Sequence, residues 1–69
     1  MIRELDTVVL THDLGEHGLR RGDAGTVVYP YSDGAAFEVE FVTAEGMTVA
    51  LLTLTHAAIR LIGKRDGKR

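Results

Sequence analysis

Metal chemistry is the first that the side chains invite. His12, Asp13, Glu16 and His17 fall within six residues, and Asp23 follows close behind. Imidazoles and carboxylates are the ligands of zinc and of other divalent ions. The spacing matches no established zinc motif, however. The chain has no cysteine, and its third histidine, His56, is far away in sequence. The segment therefore reads as a polar surface loop with incidental histidines, and no metal or other cofactor is expected.

Nucleophilic catalysis has still less material. Ser32 is the sole serine, and it sits in a Ser32-Asp33-Gly34 turn with no strand-to-helix elbow around it. His56 has no orienting carboxylate beside it in sequence. A chain of 69 residues has little room for the cavity of about 300 Å³ or more that small-molecule sites use. The expectation is a protein that does not catalyse.

Binding chemistry fares better. Tyr29, Pro30 and Tyr31 put two rings on one face of an extended segment, as a groove for proline-rich peptides would need; barrel packing with solvated hydroxyls is the plainer reading. Arg20 and Arg21, with Arg3 and Arg60, would make a modest basic spot, or pair locally with Glu4, Glu16 and Asp23. Glu38 and Glu40 would form the solvent side of a strand, or an acidic strip for a basic partner. The charge distribution weighs on that choice. Residues 1–63 carry four basic and nine acidic side chains, a net of −5, whereas Lys64, Arg65, Lys68 and Arg69 make the last six positions basic. An acidic body argues against broad binding to a phosphate backbone. The tail, residues 64–69, reads as a solvated, disordered end.

These residues need elements to hold them. Thr7–Leu10 is a short β-branched run, and the polar stretch Thr11–Gly22 that follows predicts a long ordered loop. Ala24–Tyr31 predicts a second strand, with Pro30 at its end or at an edge. Asp33-Gly34 supplies a tight hairpin turn. In Ala36–Val42, Phe37, Val39 and Phe41 alternate with Glu38 and Glu40, the clearest strand signal in the chain. A turn at Ala44-Glu45-Gly46 leads to a fourth strand, Thr48–Leu54. Thr55 would cap one helical turn through Ala58, and Ile59–Ile62 would be the last strand. No segment carries a helical apolar stripe, and no apolar run approaches the roughly 20 residues a membrane span needs.

The expected architecture is all-β: a small five-stranded barrel over residues 1–63, with a long first loop and one helical turn before the last strand. Closure would remove two exposed sheet edges. The predicted core is Val8, Leu10, Val27, Phe37, Val39, Phe41, Val49, Leu51 and Leu61. The strand Thr48–Leu54 is apolar on both faces, so Leu52 and Leu54 either lie under the long loop or form a patch that another chain covers.

Gly22-Asp23-Ala24-Gly25-Thr26-Val27-Val28 resembles the loop-to-strand entry of KOW-type and related SH3-like barrels. There the first glycine permits the turn and the second allows a close backbone approach. Residues 4–10, 17–23, 37–42 and 48–54 are similar to successive blocks of a family of small stand-alone bacterial proteins known only as a domain of unknown function. That resemblance covers residues 3 to 62 and implies a small β-barrel of the bacterial cytoplasm. It assigns no catalytic residue, and the chain departs from the family pattern at Thr55–Ile62.

The acidic N-terminal segment Met1–Asp6 does not resemble a signal peptide, and the absence of cysteine suits a reducing cytoplasm. The functional expectation is a protein-interaction module, an accessory or immunity-like or antitoxin-like partner of another protein, or a chain that pairs with its own copy. Leu52, Leu54, Tyr29, Tyr31, Arg20 and Arg21 are the candidate contact residues. The alternative is a KOW-like module that binds RNA or the ribosome through Arg20, Arg21 and the basic tail.

Overall fold

Five strands form in the order that the pattern of apolar and turn residues predicts. The computed structural model describes residues 2–42 and 47–63. The strands are β1 (Thr7–Leu10), β2 (Ala24–Pro30), β3 (Ala36–Val42), β4 (Thr48–Thr55) and β5 (Ile59–Gly63). One-turn 3-10 helices occur at Gly15–His17, inside the first loop, and at His56–Ala58, between β4 and β5. The expected turn at residues 44–46 and the basic tail at 64–69 lie outside the described residues.

All neighbouring strands are antiparallel, in the order β4-β3-β2-β1-β5. The expected closure does not occur. β4 bonds only to β3 and β5 only to β1, so the sheet is open, with β4 and β5 at its two edges. The sheet nevertheless curls enough for both halves to share one core. Val8, Leu10, Val27, Phe37, Val39, Phe41, Leu54 and Ile59 are buried in a single cluster, joined by Leu19 from the long loop and Ala58 from the second 3-10 turn. The curl comes from three register shifts, at Thr7/Val8, Val27/Tyr29 and Phe41/Val42, because an extra residue bends and twists a strand.

One of these shifts corrects the expected core. Val42 pairs with Thr48, but Phe41 pairs with Ala50, so β4 carries one extra residue, Val49. An uninterrupted register would have set Val49 opposite Phe41 and Leu51 opposite Val39, on the core side. With the extra residue, Ala50, Leu52 and Leu54 face Phe41, Val39 and Phe37 instead, and directly opposed residues project to the same side of the sheet. Leu54 is therefore 9% exposed, whereas Val49 and Leu51 are 44% and 59% exposed. Leu54 belongs to the core and Leu52 packs against it. The apolar surface that β4 presents to solvent is Val49 and Leu51.

The two glycines of the loop-to-strand entry do separate jobs. Gly22 has φ +92°, a backbone conformation that favours glycine. Gly25 is buried where β2 crosses the core: a Cβ there would sit 2.7 Å from Val39 Cγ1 and 2.9 Å from the Phe41 ring. Pro30 is the last residue of β2 and lies beyond the reach of β1, whose pairing with β2 runs from Ala24 to Thr26, so its missing N–H costs no ladder bond. Thr55 precedes the second 3-10 turn but makes no side-chain capping bond. A tie from the residue that follows β1 holds that turn instead: Thr11 donates its hydroxyl to Ala57 O (2.9 Å) and its N–H to Ala58 O (2.9 Å).

The N-terminal segment adds a clamp that the sequence pattern did not reveal. Arg3 N–H donates to Asp6 Oδ2 (2.8 Å), and Asp6 is a buried carboxylate. Leu5 sits at φ +73° in this turn and donates its N–H to Val27 O, while Val27 N–H returns a bond to Asp6 O.

Overpacking a filled core typically costs about 1–3 kcal/mol. Gly25→Ala should destabilise the protein by roughly that amount in urea unfolding. A neutral effect would mean that Val39 and Phe41 have room to move.

Candidate interaction face

The outer face of β2, β3 and β4 is assembled by the same register shifts. Val27 pairs with Val39 on the core side, but the next pair is Tyr29 with Glu38, so Val28 is the extra residue in β2. Without it, Tyr29 would share the inward side of Val27. Instead Tyr29 is 54% exposed beside Glu38, and its ring meets that of Tyr31 edge-on, with centroids 5.1 Å apart and planes at 86°. The two tyrosines share one face, as their spacing around Pro30 predicts.

Glu38 is the polar node of this face. Its Oε2 accepts a bond from the Tyr31 hydroxyl (2.6 Å) and another from the Thr53 hydroxyl (2.6 Å), so one carboxylate ties the end of β2, β3 and β4 together. The bond from Thr53, followed by that from Tyr31, holds the Glu38 carboxyl below the usual glutamate range. The bond to Glu38, reinforced by desolvation and by the carboxylate's charge, pushes the Tyr31 phenol above its usual value. Glu40 is held similarly by Thr48, whose hydroxyl donates to it at 3.0 Å. Thr48 and Thr53 carried no signal of this role in sequence; it appears only once the β3–β4 register is known.

Beyond the carboxylates, this end of the sheet turns apolar. Val42, Met47, Val49 and Leu51 are all exposed at one end of the edge strand β4 and its neighbour β3. Leu51, opposite Glu40, lies on the outer face, whereas Val49 lines a cleft at the sheet end with Leu19 and Phe41. Strands β2, β3 and β4 contain two carboxylates and no lysine or arginine.

The other sequence candidates lie elsewhere. Ser32 and His56, remote in sequence, line one open groove of about 530 Å³, more room than a chain of this length is expected to offer, together with Arg3, Glu4, Tyr31 and Phe37. No hydrogen bond joins the serine and the histidine among the described residues; His56 lies against Phe37, with ring centroids 6.2 Å apart. In the long loop, Asp13 accepts the Arg21 N–H and Asp23 accepts the Arg20 N–H, each at 2.9 Å. Both carboxylates therefore serve the backbone, and the exposed arginines are engaged through their amides. His17 pairs with Glu16 at 3.4 Å. Among the described residues no three histidine, aspartate or glutamate side chains come together to hold a metal ion, and no helix is long and apolar enough to cross a membrane.

Residues 4–61 match the model of the family described as Domain of unknown function (DUF4926). The chain belongs to that family. No curated protein and no solved structure matches it.

The Glu38 node has a pH signature with a definite sign. Because the folded-state carboxyl ionises below its usual value, its contribution to stability is present above the ordinary glutamate pKa and is lost as pH falls through the folded value. The Tyr31 phenol is raised, so its contribution is present below the ordinary tyrosine pKa and is lost as pH rises through the folded value. Glu38→Ala should therefore bring Tyr31 ionisation to lower pH in an NMR titration of its ring. An unmoved Tyr31 curve would refute the coupling.

Proposed function

We propose that this chain is a non-catalytic protein-interaction module of SH3-like type in the bacterial cytoplasm, which binds a protein partner through the outer face of β2–β3–β4. The observation that carries this reading is the exposed apolar cluster Val42, Met47, Val49 and Leu51 at one end of the edge strand β4 and its neighbour β3. Grouped apolar side chains rimmed by polar ones mark protein contact surfaces, and an edge strand offers unpaired backbone donors and acceptors for added pairing. The acidic lining of the face favours a basic partner. The SH3-like assignment is supported by five antiparallel strands, a long first loop and a 3-10 turn before the last strand.

The test is affinity purification of the tagged protein from its native host, with co-eluting protein and nucleic acid both identified. A stoichiometric protein partner that survives nuclease should be retained by the wild type. Leu51→Glu should weaken its binding at least about tenfold, the scale of an interface anchor, with unfolding unchanged. Leu54→Glu should instead unfold the protein, since it would bury a charge. RNA recovery that disappears on nuclease treatment and on replacing Arg20 and Arg21 with alanine would overturn the reading in favour of a KOW-like RNA module. Concentration-dependent self-association of the pure protein, lost in Leu51→Glu, would make the partner a second copy.

A further inference from the structure

We infer that the cleft beside Tyr29 and Tyr31 is a receptor for an arginine side chain of the protein partner; this rests on the interaction-module reading and names the chemistry of its anchor. The cleft has a volume of about 350 Å³ and is lined by Tyr29, Tyr31, Ser32, Asp33, Ala36 and Thr53. Two tyrosine rings at 86° form two of its walls, and both rings are substantially exposed. A cation against the face of a tyrosine is attracted by the ring quadrupole.

The charge of the cleft selects the occupant. Asp33 lines it directly, and among the described residues its Oδ1 is the oxygen that serves the β2–β3 turn, accepting the Ala35 N–H at 2.9 Å. Behind the rim, Glu38 bonds to two of the lining hydroxyls through Oε2 alone, leaving Oε1 untouched by either. The strands that build the cleft contribute no lysine or arginine; among the described residues, Arg3 lines the adjoining groove, together with Glu4. The cleft therefore combines aromatic walls with the carboxylates of Asp33 and, behind the rim, Glu38. A guanidinium suits both features: its plane stacks on an aromatic ring while its edge donates to a carboxylate. An ammonium is a compact, strongly hydrated charge that gains less from a flat ring. The cleft lies at the opposite end of β4 from the apolar cluster, since Thr53 lines it while Val49 and Leu51 do not. One partner surface would thus place an arginine at one end of the strand and apolar side chains at the other.

The test is an NMR titration of the isotopically labelled protein with Nα-acetyl-arginine amide, against Nα-acetyl-citrulline amide of the same shape without charge. Saturable shifts at Tyr29, Tyr31, Asp33 and Thr53 are expected for the arginine probe, with a millimolar affinity typical of a single side chain, on the order of 1–50 mM. Asp33→Asn keeps the turn chemistry and should weaken the probe by about 3- to 10-fold; Tyr29→Leu should do the same while retaining bulk. Absent shifts at these residues, equal shifts with citrulline, or an equally tight lysine probe would overturn the inference. Leu51→Glu should leave probe binding unchanged. Loss of the probe site with the Leu51-dependent partner intact would fail this inference alone, whereas probe binding with no Leu51-dependent partner would fail the module reading alone.

Discussion

The strict alternation of β3 organises the molecule. Phe37, Val39 and Phe41 point inward and Glu38 and Glu40 outward, and strands on either side must match that division or bury charge. Both neighbours do so only by carrying an extra residue, Val28 in β2 and Val49 in β4. Each irregularity reverses which side chains of its strand face the core. The core and the outer face are therefore set by the same two events: the insertion that turns Leu54 inward turns Leu51 outward, and the one in β2 turns Tyr29 toward Glu38.

This division also explains what was legible in the sequence. The strands β1 and β3 are readable to the residue, because one is a compact β-branched run and the other has a single apolar face. The entry Gly22–Val28 likewise announces its chemistry: Gly22 adopts a conformation that favours glycine, and Gly25 packs where a side chain would collide with Val39 and Phe41. The parity of β4 was not readable. Val49, Leu51, Leu52 and Leu54 are apolar at both parities, so period-two reasoning has nothing to choose by, and the deciding extra residue is a property of the pairing. The same holds for Thr48 and Thr53, which acquire partners only across strands.

Several groups that look chemical in sequence serve structure instead. Asp13 and Asp23 secure backbone amides of the long loop. Asp6, buried and bonded to Arg3 N–H, shapes the turn that lets the N-terminal segment bond to Val27. Glu38 is different in kind, since it joins three strands at a surface and still presents charge there. A node of this sort serves cohesion and recognition together, because the hydroxyls that fix the carboxylate also line the cleft in front of it.

The open edges bear on how the chain folds. The pairs β2–β3 and β3–β4 join neighbours in sequence, so they need only short loops to close. β1 has no such neighbour on its outer side; Leu10 meets Ile59, 49 positions along the chain. Closing so long a loop is entropically expensive before its contacts repay it, and non-local pairing of this kind slows folding. Contact order therefore sets the β2–β3–β4 meander apart from the pairing of β5 with β1. The face that carries the tyrosines and the acidic node is built wholly from the meander, so it rests on pairings that are short in sequence and not on the long-range docking of β5.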